Sequence, residues 1–356
     1  MCRGAEGDSG LSSGRPRVTV VPGPGNSKFL RIGYDEERMA LHLITGVAGF
    51  IGSSIARALL ERGEEVRGID NFSTGKRGNL AEIANRLDFR EADLSDLKAM
   101  KQACQGVDCV FHQAAIPSVP KSVLDPLGSN QANVDGTVNI LIAARDAKVR
   151  RVMYAASSSA YGDTPTLPKH EQMTPNPISP YAVAKLASEY YMVSFYRCYG
   201  LETVSLRYFN IFGPRQDPTS QYSGVLAKFI TQMLRGEPPT IFGDGSQSRD
   251  FTYIDNAVSA NLLAAHAPAA NVAGQVFNVA TGRRVDLNET FALLKKLIGY
   301  SGKVNYGPER EGDIKHSLAD IARAEKALGY QPEVDFEEGL KRTVEWYRGE
   351  SQAAGA

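Results

Sequence analysis

The sequence predicts an α/β protein: a doubly wound parallel sheet followed by a smaller mixed α/β domain. Three observations carry this reading. From Leu41 onward, short apolar runs alternate with stretches of helical period, the rhythm of repeated βαβ units. Gly46-x-x-Gly49-x-x-Gly52 stands between the first apolar run and the first amphipathic stretch. The second apolar run ends on Asp70, about 20 residues beyond those glycines.

Taken in order, residues 1–38 mix Gly, Ser, Pro and charge without a sustained period and are read as a flexible extension. Met39 stands just before the first strand, Leu41–Thr45. Phe50–Arg62 carries Ile51, Ile55, Ala58 and Leu59 at helical spacing, and Gly63 stops it. Glu65–Ile69 follows as a strand, and a third strand precedes Asp93. Leu97–Cys104 reads as a helix, Cys109–Gln113 as a strand, Val134–Ala147 as a helix and Arg151–Ala155 as a strand. Right-handed crossovers then cover the sheet on both faces.

After Tyr208 the rhythm breaks at Gly213-Pro214 and Pro238-Pro239. Short strands at Thr240–Phe242 and Val276–Val279 mix with helices at Val225–Arg235, Leu287–Ile298 and Phe336–Arg348. The division this implies is an extension over 1–38, a dinucleotide-binding domain over 39–208 and a substrate domain over 209–356.

Composition excludes several classes. Among 356 residues, 40 basic side chains balance 40 acidic ones, so the basic excess of a nucleic-acid or anionic-membrane protein is missing. No apolar stretch approaches the roughly 20 residues of a membrane span, and no signal-peptide core is visible. Cys2, Cys104, Cys109 and Cys198 form no C-x-x-C pair, which suits reduced thiols in a cytoplasmic protein. The five histidines include no H-E-x-x-H pair, so no metal site is expected.

The glycines permit a tight turn and close approach of backbone to a pyrophosphate, and the helix N-terminus behind them supplies N–H groups and partial positive charge. Asp70 at a strand end can bond both hydroxyls of an adenosine ribose and repel a 2′-phosphate, which favours NAD; Lys76 and Arg77 nearby leave NADP open. Asp93 could meet the adenine amino group or simply cap its loop.

Tyr181 and Lys185 stand at i and i+4 on a helix that begins after Pro180, so they share a face. A nearby ammonium lowers a phenol's pKa and can make it a base for a carbinol proton. Ser157, with Ser158 and Ser159 behind it, ends a strand at the sheet's carboxyl edge, where a hydroxyl can hold the reacting oxygen. Taken singly, the helical pair also fits an exposed surface and the serines a plain turn.

Together these residues resemble the extended short-chain dehydrogenase/reductase family, whose fold is of the Rossmann type, and within it the nucleotide-sugar 4-epimerases. The resemblance spans about residues 40–348 and includes Asp70-Asn71-Phe72-Ser73-Thr74-Gly75, His112-Gln113-Ala114-Ala115, Arg207-Tyr208-Phe209-Asn210 and Arg249-Asp250-Phe251 in the family's order. The chain looks most similar to bacterial UDP-N-acetylglucosamine 4-epimerases. The resemblance implies that Gly46, Gly49, Phe50, Ile51 and Gly52 cradle the NAD pyrophosphate. It implies Asp70, Asn71, Phe72, Ser73 and Gly75 around the adenosine, with Asp93 and Leu94 at the adenine. Gln113, Ala114, Ala115, Asn133 and Tyr208 would line the cofactor cleft.

The same resemblance makes Tyr181 the base, Lys185 its pKa setter and ribose ligand, and Ser157 the helper hydroxyl. Ser118, Ser157, Ser158, Ser159 and Tyr181 would face the sugar, and Asn210, Arg249, Arg310 and Asp313 would grip the UDP. Ser317 would occupy the position that gates the sugar's 2-substituent, where a small residue admits an acetamido group. Pro117 departs from the glycine of the most similar subgroup.

The implied reaction is oxidation at C4, rotation of a 4-keto sugar and return of hydride to its other face. Dehydratases and decarboxylases of this superfamily carry acidic residues where this chain has Ser158 and Ser159. A UDP-glucuronate 4-epimerase needs no such acid and stays a rival. A non-catalytic NAD(P)-sensing protein would typically lack the Tyr/Lys pair. Family enzymes form homodimers through a four-helix bundle, for which Val134–Ala147 and Tyr181–Tyr199 are the candidate helices.

Overall fold

The computed structural model describes residues 39–218, 224–309 and 315–355, and the backbone of two strands before them, Arg17–Pro22 and Lys28–Gly33. Those two strands pair antiparallel, Arg17 opposite Gly33, inside the segment read as flexible. The run RVTVVP is rich in β-branched residues, which suit a strand; the surrounding Gly, Pro and Ser outweighed it in the sequence. Residues 1–40 and 41–356 form two separate compact units.

Seven parallel strands build the central sheet of the larger unit. They are β1 (Leu41–Thr45), β2 (Glu65–Asp70), β3 (Leu87–Glu91), β4 (Cys109–His112), β5 (Arg151–Ser157), β6 (Glu202–Tyr208) and β7 (Gln275–Val279). Their order is β7-β6-β5-β4-β1-β2-β3. The order reverses between β1 and β4, and in such sheets ligands bind beyond the carboxyl ends at that point. β7 corrects one expectation. Its residues were assigned to the smaller domain, yet Val279 pairs with Tyr208 and the strand closes the main sheet. A short apolar run does not announce its partner, so the chain's return to the sheet left no local signal.

Helices cover both faces. α1 (Phe50–Glu61) and α5 (Ile254–His266) share one core through Ile55, Leu59, Ala260 and Ala264. α2 (Leu97–Ala103), α3 (Gly136–Asp146) and α4 (Pro180–Tyr199) form the other through Met100, Ile140, Leu141, Met192 and Phe195. The strands feed both. Leu43 enters one core and Ile44 the other, as do Val110 and Phe111, which is why these strands read as continuous apolar runs. Each such burial stabilises by about 1.5–3 kcal/mol.

The C-terminal lobe adds helices Val225–Leu234, Leu287–Ile298 and Phe336–Gly355. Three short strand pairs join them, among them Ile211–Phe212 with Thr252–Tyr253 and Ser248–Arg249 with Val285–Asp286. Phe251 stacks on Phe336 at 5.2 Å and fixes the lobe's inner wall.

α4 is locked to β6 by a buried bidentate pair. Arg207 reaches Glu189 through Nε at 2.9 Å and Nη2 at 2.6 Å, and both side chains are buried. The Arg207 guanidinium also lies 4.6 Å from the Tyr161 ring centroid. Removing one partner strands a charge in low dielectric. Glu189→Gln is expected to cost about 3–5 kcal/mol in denaturant unfolding, with most of it recovered in the Glu189→Leu, Arg207→Met double variant.

Candidate active site

The turn after β1 is built for close approach. Gly46 has φ 70°, and a Cβ there would lie 2.7 Å from the Ala114 backbone; a Cβ on Gly52 would lie 2.2 Å from the Gly46 carbonyl oxygen. Gly49, the residue ahead of α1, gives no side-chain cap to that helix. The amides of its first turn, including Phe50 and Ile51, therefore lack a capping acceptor from their own chain, the arrangement that receives a pyrophosphate.

Asp70 ends β2 and is buried. Its Oδ2 accepts from Ala48 N–H at 2.9 Å and its Oδ1 from Phe72 N–H at 2.8 Å. Burial pushes its carboxyl up, against those bonds. Each oxygen keeps a lone pair for a ribose hydroxyl. Gly75 packs on it, where a Cβ would sit 2.8 Å from Asp70 Oδ1. Asn71 Oδ1 accepts from Ser73 N–H, and Asn71 Nδ2 donates to Asp93 at 2.5 Å. Asp93 is exposed and also accepts from Ser95 N–H, so it stabilises its own loop beside Leu94. The two cations that left NADP open are engaged elsewhere: Lys76 pairs with Asp217 at 2.8 Å, and Arg77 pairs with Glu91 and covers the Phe72 ring.

The far side of the cleft is held by side-chain amides. Gln113 Oε1 accepts from the Tyr208 hydroxyl, Gln113 Nε2 donates to Asn261, and Asn261 donates to Tyr208, a closed triangle reaching α5. Asn133 lies in a π-turn over Gln131–Asp135 and accepts from Ile116 N–H at 3.0 Å. The Ala114–Ala115 segment is thereby fixed beside Gly46. π-turns of this kind frequently sit at functional sites.

At the carboxyl edge, Ser157 ends β5 and Tyr181 opens α4. Ser159 donates to Ser157 Oγ through its amide at 3.2 Å and its hydroxyl at 2.8 Å, so the Ser157 proton is available to the Tyr181 phenol oxygen. Ser158 lies beside them, half-buried. Burial pushes the Tyr181 phenol up, and hydrogen bonding with Ser157 pulls it down. The buried Lys185 ammonium donates to Ala155 O at 2.8 Å and lies 4.8 Å from the Tyr154 ring. Burial lowers its own pKa to about 7, so its charge is partial at neutrality.

A cleft of about 230 Å³ in the C-terminal lobe brings Asn210 and Arg249 together with Phe212, Gln247, Phe251 and Leu287. Asn210 adopts φ 39° and donates to Asp250 O and to Ser317 Oγ. Arg249 donates to the carbonyls of Ser248 and Lys315. Ser317 Oγ is thus turned toward the Asn210 side-chain amide and the Asp250 N–H. Ser118 is buried and caps helix Val119–Leu124 through Lys121 N–H. Arg310 and Asp313 lie outside the described residues. Sequence reasoning missed Phe212 and Gln247 in the cleft and Asn261 behind Gln113; ordinary core and loop spacing gave no signal for them.

Residues 42–280 match the model of the NAD dependent epimerase/dehydratase family. A UDP-glucose 4-epimerase of Mycolicibacterium smegmatis is 40% identical over 87% of this chain and 99% of its own length. The solved UDP-N-acetylglucosamine 4-epimerase of Methanobrevibacter ruminantium is 41% identical, with TM-score 0.84 over 88% of this chain and all of that one. The UDP-glucuronic acid 4-epimerase of Bacillus cereus, solved with UDP-glucuronic acid and NAD, is 33% identical, with TM-score 0.80 over 87% and 99%. The chain belongs to the NAD-dependent epimerase/dehydratase family. Its cofactor is NAD, which the glycine turn and Asp70 fit.

Lys185 generates a pH signature. An unfolded lysine titrates near ~10.4, whereas Lys185 in the fold titrates at about 7. Between those values the folded chain binds fewer protons than the unfolded one, so this group's contribution to stability rises with pH across that window. In protein stripped of dinucleotide, Lys185→Met should flatten the unfolding free energy between about pH 7 and 9. An unchanged slope would refute the assignment.

Proposed function

We propose that the protein interconverts UDP-N-acetylglucosamine and UDP-N-acetylgalactosamine, accepting UDP-glucose and UDP-galactose as well, with NAD retained through the cycle. The observation that carries this is the hydrogen bond between Tyr181 and a Ser157 hydroxyl that Ser159 holds in place. When bound, NAD supplies a reversible hydride acceptor. Gly46, Phe50, Ile51 and Asp70 hold it, with Asn133 and Gln113 shaping the cleft. Ser157 donates to the sugar O4, and Tyr181 takes the O4 proton as C4 is oxidised. After the 4-keto sugar turns about its diphosphate, Tyr181 returns the proton. Asn210, Arg249, Arg310 and Asp313 grip the UDP; an arginine fork suits a diphosphate.

The acetamido reading is supported by the small side chain at Ser317 and by the likeness to the Methanobrevibacter enzyme. Two observations keep UDP-glucuronate as the second reading: the Bacillus cereus likeness, and Ser158 and Ser159 where elimination or decarboxylation needs acids. NMR of a UDP-sugar panel, with and without 2-acetamido and 6-carboxyl groups, decides between them. Turnover of UDP-N-acetylglucosamine without added NAD is expected, and Tyr181→Phe should abolish it. Turnover of UDP-glucuronate alone would install the second reading, and full turnover in Tyr181→Phe would end both.

We also read the protein as a cytoplasmic homodimer. Among the described residues, no helix is long and apolar enough to cross a membrane. Exposed apolar side chains gather on α4 (Val183, Tyr190, Tyr191, Tyr199) and on helix Val119–Leu124 (Val123, Leu124). On Val134–Ala147, the other helix expected at the interface, Ile140 and Leu141 are buried in the core and Ile142 is half-buried. Light scattering should give a dimer, and the Val123→Asp, Leu124→Asp double variant a monomer; a wild-type monomer refutes the reading.

A further inference from the structure

The first turn of α4 accounts for all of its amides. Pro180 has none. Ala182 N–H reaches the Ser179 hydroxyl at 3.2 Å and Val183 N–H the Ser179 carbonyl at 2.9 Å. Tyr181 N–H is the one donor the helix and its cap leave over, and it is met from another element: Ser122 Oγ accepts it at 3.0 Å. Ser122 is completely buried on helix Val119–Leu124, and its own proton is donated to Val119 O at 2.6 Å. Its hydroxyl is therefore fixed in direction, acceptor side toward Tyr181. An amide left unmet there would carry an unpaired polar group in the core.

We propose that Ser122 is a positioning residue for the reaction, setting the backbone of Tyr181 against Ser157 and tying it to the helix that begins at Ser118. The bond joins α4 to helix Val119–Leu124, so displacement of either helix is felt at Tyr181. This rests on the reading of Tyr181 as the base. A side chain two residues into a helix moves with its backbone, and misplacement of a reacting group by about 1 Å can cost roughly 100-fold in rate.

The test uses the NAD-loaded enzyme with UDP-N-acetylglucosamine or whichever panel sugar it turns over. Ser122→Ala should lower kcat roughly 10- to 100-fold, with KM, UDP affinity and NAD content close to wild type and a thermal midpoint lowered by the unmet Tyr181 amide. The acid limb of its kcat–pH profile should move to higher pH as the phenol loses Ser157. Ser122→Cys, which keeps the volume but offers a weak acceptor, should fall between, and Ser122→Thr should restore most of the rate. Folded, NAD-loaded Ala and Cys variants with unchanged kcat would overturn the proposal, as would KM rising and UDP affinity falling in step with the loss of kcat. Tyr181→Phe serves as the control. If it stays active, the reading of the base has failed; if it is dead while Ser122→Ala is unaffected, only the positioning role has failed.

Discussion

A buried ammonium sets the terms for the whole catalytic edge. Lys185 lies inside α4 with its Nζ against Ala155 O and the Tyr154 ring. Desolvation makes such a group costly unless its donors find partners, and the partner here is the backbone of β5 two residues before Ser157. One turn further on, Glu189 reaches Arg207 on β6, so α4 is pinned at successive turns to adjacent strands. Those contacts leave the helix little freedom to slide or rotate. Tyr181, one turn ahead of Lys185, is carried to the end of β5 as a consequence.

The same logic separates the two ligand halves. The dinucleotide side is made of backbone: glycines that admit a phosphate, amides of α1, and one buried carboxylate already held by two N–H groups. Such a surface is rigid and favours retention. The C-terminal lobe presents side chains at a cleft, Asn210 and Arg249, fixed by bonds to neighbouring carbonyls and to Ser317. Between them stand a phenol and a hydroxyl. A reaction that oxidises and re-reduces one carbon needs this combination: cofactor and nucleotide held firmly, with the sugar free to turn.

Much of this was legible in the sequence, because βαβ periodicity and the glycine spacing are local signals. Gly46, Asp70, Ser157 and Tyr181 each stand at a strand end or helix start that periodicity locates, and Lys185 lies one turn beyond Tyr181. What stayed hidden depends on contacts between distant segments. β7 joins the sheet across the lobe that precedes it, and no residue in Gln275–Val279 names its partner. Ser122 looks like one serine in a loop until α4 folds against it.

His112 shows how far hydrogen-bond accounting can carry a role. Thr137 Oγ1 donates to Asn133 O, so it accepts from His112 Nε2–H at 2.9 Å. Burial together with the Lys185 charge lowers the His112 pKa to about 3, so the ring is neutral and its bare Nδ1 accepts from Thr45 Oγ1 at 2.7 Å. A histidine so constrained has no proton to lend near neutral pH and cannot serve as the acid or base. It works as a rigid strut, joining the strand end before Gly46 to the π-turn that holds Asn133.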